Sequence, residues 1–86
     1  MLHTTVSVGH SDGERRVWTD HEVVFSPKDH GAYAASYELG RACFRVFGTE
    51  YVHAEDKIRN ERGTVLFSAS PAVVAEGIHD EWINRQ

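Results

Sequence analysis

Cysteine is almost absent from this sequence, because Cys43 is the only one among 86 residues. A single thiol cannot close an intramolecular disulfide, which excludes the class of small secreted domains that disulfides stabilise. Cys43 lies among small aliphatic residues at helical spacing, so we expect a buried hydrophobic side chain and not a reactive thiol. The lack of a disulfide framework favours a cytoplasmic protein.

Long apolar runs and targeting signals are also missing. No stretch approaches the roughly 20 apolar residues that a membrane-spanning helix requires. The N-terminus, MLHTTVSVGH, has neither the basic start nor the apolar centre of a signal peptide. We therefore expect a cytoplasmic location and no membrane partner.

Positive charge is scarce. Nine Lys and Arg residues stand against thirteen Asp and Glu residues, which gives a net charge of −4 at pH 7. Nucleic-acid-binding proteins usually carry a basic patch, so we expect no direct contact with DNA or RNA. An acidic protein can instead dock on a basic surface, including one built to hold nucleic acid.

Catalytic and cofactor motifs are lacking as well. The glycines form neither GxGxxG nor a P-loop, and there is no GxSxG nucleophile elbow. Six histidines are present, but none pair at i, i+4 on a helix, and HxH and HExxH are absent. We therefore expect no enzyme activity, no cofactor and no metal. Should a metal bind, His21 and His53 on neighbouring strands are the first candidates.

The longest helical signal covers residues 26–48. Ser26 and Pro27 suit an N-cap and a first helical position, and Gly48 suits the left-handed residue that closes a helix. Two adjacent faces of this helix are apolar, one small and aliphatic, the other mostly aromatic. The aliphatic stripe comprises Ala32, Ala35, Leu39, Ala42, Cys43 and Val46, and the aromatic stripe comprises Tyr33, Tyr37, Gly40, Phe44 and Phe47.

A helix that is apolar on two faces requires two covering elements. A sheet can cover the aliphatic stripe, whereas the aromatic stripe requires the second helix, a second copy of the chain, or another protein. Arginine beside aromatic residues is a frequent composition of binding hot spots. Tyr33, Tyr37, Arg41, Phe44 and Arg45 are therefore candidate partner-binding residues.

Short strands and a second helix account for most of the remaining chain. Strands are predicted for residues 4–8, 15–25, 50–54 and 64–68, with a turn at Asp12-Gly13 and a bulge or break at the polar residues 19–21. The charged residues 55–63 either extend a hairpin or form solvated helical turns. Their Glu55 and Asp56 are further candidate contacts for a basic partner. A second helix is predicted for residues 71–84, where Ser70 and Pro71 repeat the helix-start pattern.

These elements predict one α+β domain spanning residues 1–86. Strand, Ser-Pro and helix recur in that order twice, so the chain reads as ββαββα. The expected architecture is a two-layer sandwich, in which a four-stranded, mainly antiparallel sheet carries both helices on one face.

The sequence favours a small, non-enzymatic, cytoplasmic protein-binding domain. Compact acidic domains without catalytic residues are common among phage and mobile-element inhibitors of host defence or nucleic-acid-processing complexes, such as anti-CRISPR proteins, and a phage product would act in the host cytoplasm. This is an analogy of size and charge. Its mechanism would be steric, with acidic side chains mimicking phosphate. The alternatives are a regulatory or structural homodimer joined through the aromatic stripe, and a metal-binding protein or enzyme that uses the histidines.

Overall fold

The computed structural model describes all 86 residues and has an α+β architecture. One antiparallel sheet carries two helices on one face, as predicted, but the sheet has five strands and not four. The elements in chain order are β1 (Leu2–Asp12), β2 (Arg15–Phe25), α1 (Ala32–Phe47), β3 (Val52–Ala54), β4 (Lys57–Arg59), β5 (Val65–Ser68) and α2 (Pro71–Asn84).

A long hairpin forms one half of the sheet. β1 and β2 pair without interruption from Leu2 opposite Phe25 to Asp12 opposite Arg15. The bulge or break predicted for residues 19–21 is therefore wrong. These polar residues stay in the strand because they bond to neighbouring side chains. The Ser7 hydroxyl, for example, donates to the Asp20 carboxylate at 2.6 Å.

The other half of the sheet lies along the opposite side of β1. β3 pairs with Val6–Val8 of β1, and β4 pairs with β1 at His3, so these two short strands follow each other along one flank. β5 then pairs with β4. The charged run thus extends a hairpin, which was one of the two predicted outcomes. Its single large apolar residue, Ile58, is fully buried.

The two Ser-Pro pairs behave differently. At α2, the Ser70 hydroxyl accepts the Val73 N–H at 3.4 Å and Pro71 is the first helical residue, as predicted. The predicted start of the first helix at Ser26-Pro27 is wrong, since α1 begins at Ala32 after Gly31 and has no side-chain cap. None of residues 26–31 is buried, so no packing stabilises an earlier turn. Those residues form the connection from the sheet to the helix layer.

The two helices pack with their backbones in close contact. A Cβ atom placed on Gly40 of α1 would lie 2.1 Å from the Val74 carbonyl oxygen of α2. One placed on Gly77 of α2 would lie 2.1 Å from the Tyr37 carbonyl oxygen of α1. The second helix of the same chain therefore covers the middle of the aromatic stripe, whereas Phe47 at its end lies against His21 of β2. Neither helix is long and apolar enough to cross a membrane.

The core lies between the sheet and the two helices. Leu39 and Cys43 of α1 are fully buried there, against Val6 and Val8 of β1. The expected burial of Cys43 is confirmed, and burial raises the pKa of its thiol to about 12, which disfavours the reactive thiolate. Val46 points in the same direction as Leu39 but is 68% exposed, which corrects its assignment to the buried stripe. The last turn of α1 thus extends beyond the sheet and α2, which cover the middle of the helix.

Candidate functional site

A groove of about 940 Å³ lies between α2 and the outer side of β3. Its apolar lining includes the buried residues Phe44, Ala69, Val74 and Ile78, and Trp82 stands at the α2 side with 47% of its surface exposed. The volume falls at the upper end of the range of ligand pockets, which is roughly 300–1,000 Å³. The groove is large for a domain of this length.

The groove exists because the chain leaves the sheet after β5. The last backbone bond on this side runs from the Ala69 N–H to the Asp56 carbonyl at 2.8 Å. Continuation of the β4–β5 register would place Pro71 opposite Ala54. Pro71 instead starts α2, and proline has no N–H to donate to a ladder. The position beside β3 therefore holds no strand.

This leaves β3 with a free edge. The Gly9 N–H donates to the Tyr51 carbonyl at 2.8 Å, and the Glu55 N–H donates to the Thr5 carbonyl at 2.9 Å. Backbone groups alternate in direction along an antiparallel strand, so those of Val52 and Ala54 point away from β1. The Val52 N–H bonds locally to the Glu50 carbonyl at 3.0 Å. The C=O of Val52 and both backbone groups of Ala54 therefore face the groove.

The charged side chains that line the groove are all acidic. Glu50 precedes β3 and Asp56 follows it, and no Lys or Arg lines the groove. His53 and His79 are its only other titratable residues apart from Tyr51. The electrostatic character of the groove therefore favours a cationic ligand.

An exposed aromatic cluster adjoins the groove on the open face of the sheet. The rings of Trp18 and His53 lie 4.9 Å apart, and the Arg16 guanidinium stacks 3.4 Å from the centre of the Tyr51 ring. Gly9 makes this possible, because a Cβ there would lie 3.2 Å from both Trp18 and Tyr51. Tyr51 and His53 belong to both the cluster and the groove, which makes one continuous surface.

The predicted partner-binding aromatic residues face α2. The Tyr33 hydroxyl donates to Glu76 at 2.9 Å and the Tyr37 hydroxyl donates to Asp80 at 2.6 Å. These bonds raise the pKa of both phenols, since an ionised phenol cannot donate to a carboxylate. Phe44 is buried and lines the groove. The role of the two tyrosines in binding a partner stays a prediction, with Tyr33 the more accessible at 59% exposure.

The predicted partner-binding arginines converge on a buried carboxylate. Arg41 Nε donates to Glu81 Oε2 at 3.0 Å, and Arg45 Nη1 approaches the same oxygen at 3.5 Å. Arg85 lies 3.6 Å from the other oxygen, and Arg45 also pairs with Glu38 at 2.8 Å. Only 7% of Glu81 is exposed. These arginines thus join α1 to α2, and their contact with a partner stays a prediction.

Acid should weaken the domain through Glu81. Burial alone raises the pKa of this carboxyl, but the Arg41 hydrogen bond and the charges of Arg41, Arg45 and Arg85 outweigh burial and leave the pKa below its usual range. The unfolded chain, with a pKa of about 4.3, therefore takes up the proton first as the pH falls, and this part of the stability is lost below about pH 5.

The substitution Glu81→Gln tests this expectation. We expect a loss of about 1.5 kcal/mol in the free energy of unfolding at pH 7, as for a hydrogen bond to a charged group, and a smaller further loss between pH 7 and pH 3.5 than in the native protein. Urea unfolding at both pH values measures it. Glu14→Gln in the exposed hairpin turn is the control. Equal acid sensitivity of the native protein and the Glu81 variant would contradict the assignment.

The predicted acidic contacts lie on different surfaces. Asp56 lines the groove. Glu55 forms an ion pair with Arg59, four residues along the chain. Binding of a basic partner by Glu55 and Asp56 stays a prediction. Only Asp56 belongs to the groove.

The two histidines proposed as metal ligands lie on opposite faces of the sheet. His21 pairs with the buried Val6 and contacts Phe47 of α1, whereas His53 pairs with Ser7 and contacts the Trp18 ring at a tilted angle. They cannot share an ion, because directly opposed residues point to the same face and these two belong to different faces. No group of three or more His, Cys, Asp or Glu side chains is placed to hold a metal ion.

The sequence-based reasoning missed the groove and the aromatic cluster. The Ser70-Pro71 pair that closely follows β5 was a signal for the groove. Proline cannot continue the backbone pairing of β5, so the outer edge of β3 is left without a neighbouring strand. No local pattern joins Trp18 to Tyr51, which are brought together only by the strand register.

No protein-family model, curated protein or solved structure matches this chain.

Proposed function

We propose that this chain is a non-catalytic protein-binding domain whose groove receives a basic segment of a partner protein. The observation that carries the proposal is the groove itself, which combines an apolar lining with two carboxylates and no Lys or Arg. Apolar contact would supply most of the affinity. The carboxylates would favour cationic partners and raise the rate of encounter.

A macromolecular ligand suits this surface better than a small molecule. The groove continues into exposed aromatic residues at both sides, with Trp82 on α2 and with Tyr51 and Trp18 on the sheet, each almost half exposed. Exposed tyrosine and tryptophan next to a concave apolar surface are typical of protein interfaces. A small molecule would leave most of this area uncovered.

The proposal includes a mode of action. A domain of this size that occupies a basic surface would block it sterically, which suits an inhibitor of a nucleic-acid-processing or host-defence complex in the cytoplasm. That specific role, including a phage origin, stays a prediction from size and charge. The homodimer also stays a prediction. The aromatic stripe was its expected interface, and α2 covers the middle of that stripe.

Selection from a displayed library of random peptides tests the groove. The native chain should enrich peptides that combine Lys or Arg with aliphatic residues. Ala75→Arg, which places a bulky cation in the groove, should weaken their binding at least tenfold, or about 1.4 kcal/mol. Ala72→Arg is the matched control, because Ala72 is exposed on the same helix and does not line the groove.

Both variants keep the helix and carry the same added charge, so a difference between them reports on the groove alone. Circular dichroism confirms that both are folded, and titration calorimetry gives the affinities. Failure to enrich any peptide, or equal binding by the two variants, would overturn the proposed function.

A further inference from the structure

We infer that the partner segment binds as an added β-strand, pairing its backbone with the free edge of β3. This inference rests on the proposed function and specifies the form of the ligand. The expected segment is extended, with aliphatic side chains at alternating positions and Lys or Arg near its ends.

The first support is the row of unpaired backbone groups along the edge of β3. The Ala54 N–H and C=O and the Val52 C=O all face the groove, in the position that a continued β5 would occupy. β-strand addition uses such an edge for affinity and uses pockets for alternate side chains for specificity. The inferred ligand occupies the place that the chain itself leaves empty when it turns into α2.

The second support is that no blocking residue lies on the edge. Native sheets usually protect a free edge by keeping it very short, or with proline, lysine, a bulge or a covering segment. β3 spans only Val52–Ala54, which limits the length of the pairing, but it contains neither proline nor lysine. α2 stands beside it but leaves the groove open. An unblocked edge next to an apolar lining is the arrangement that strand addition requires.

The third support is the match between the groove and the alternation of a strand. Side chains on one face of an added strand would point towards the helix layer, where Phe44, Val74 and Ile78 line the groove, so these positions should be aliphatic. Glu50 and Asp56 flank β3 at its two ends. They are six residues apart in the sequence, so at most about 20 Å of chain separates them. Cationic residues near the ends of the ligand would meet these carboxylates.

A partner protein fits this edge better than a second copy of the chain. Edge-to-edge pairing of two copies would bring the acidic ends of both β3 strands together, and each copy carries a net charge of −4. Like charges placed opposite each other disfavour such an interface. A basic segment has no such penalty.

Amide hydrogen exchange provides the direct test. The probe is the highest-affinity peptide from the display selection, bound to the full native chain and followed residue by residue by NMR. The Ala54 amide, free of a partner in the unbound domain, should exchange at least tenfold more slowly at saturation. The Glu55 amide is the control, since it already donates to Thr5 and should be protected in both states.

Backbone methylation of the peptide gives an independent readout without any change in the domain. Methylation removes one N–H at a time, so a strand-adding peptide should lose about tenfold in affinity at alternating positions and little at those between them. The side chains are unchanged in this series. Any loss therefore reports on the backbone.

The outcomes separate this inference from the proposed function. Binding that Ala75→Arg abolishes, without protection of Ala54 or alternating sensitivity to methylation, would overturn strand addition and leave the groove as the binding site. Absence of binding would overturn both. Protection of Ala54 without peptide, together with a dimer in sedimentation equilibrium, would show that a second copy occupies the edge and would overturn the inference of a partner segment.

Discussion

Gly77→Ala is expected to destabilise the whole domain strongly. The added methyl group would lie 2.1 Å from the Tyr37 carbonyl oxygen, which belongs to the backbone of α1 and cannot rotate away. We expect a loss of about 3 kcal/mol or more, the upper end of the cost of overpacking. Alanine is better than glycine in a helix interior by about 1 kcal/mol, so any net loss must come from the contact. Thermal and urea unfolding, followed by circular dichroism, measure it.

A substitution on the other helix and a control show whether the close helix contact causes the loss of stability. Gly40→Ala should have a similar effect, because its methyl group would lie 2.1 Å from the Val74 carbonyl oxygen. Gly48→Ala places a methyl group where no atom lies within 4 Å, at a φ of +66°. It should cost only about 1 kcal/mol, from the left-handed backbone alone. A Gly77→Ala variant as stable as the native protein would show that the helices are not in close contact.

Leu39→Ala should lower the free energy of unfolding by about 2–4 kcal/mol, because it opens a cavity in the core. Leu39 is fully buried and, with Ile58, is among the largest side chains with no exposure. Urea unfolding measures the loss. Val46→Ala is the matched control on the same helix, since Val46 is mostly exposed and should change stability by less than about 0.5 kcal/mol. A loss below that value for Leu39→Ala would contradict the placement of the core.

The two glycine substitutions also bear on the groove. α2 forms one wall of it, and α2 packs mainly against α1 and has little contact with the sheet. The Gly40 and Gly77 contacts therefore help to position the wall that α2 forms. Loss of peptide binding in the Gly77 variant would follow from unfolding, whereas loss in Ala75→Arg would follow from blocking a folded groove.

The sequence alone determined the features that depend on local chemistry. Ser70 and Pro71 placed the start of α2, because a cap and a fixed φ act within one turn. Leu39 and Cys43 were predictable as core from helical spacing. The Asp-Gly signal predicted the hairpin but placed its turn one residue early, since Asp12 still pairs with Arg15 and the turn is Gly13-Glu14. The α+β class follows from the same signals, since strands and helices each have a recognisable period. These predictions required no knowledge of what lies across the core.

Tertiary structure decided everything that depends on which elements meet. Ser26 and Pro27 carry the same start signal as Ser70 and Pro71, yet α1 begins at Ala32, because nothing packs on an earlier turn. The carboxylate that holds Arg41 lies 40 residues away in the chain. The groove likewise depends on contacts between distant parts of the chain. The pairing of β3 with one flank of β1, and the departure of the chain at Pro71, leave the edge of β3 without a partner beside the groove. Local sequence sets the conformation of a segment, whereas long-range contacts determine which surfaces remain uncovered, and the proposed function depends on such a surface.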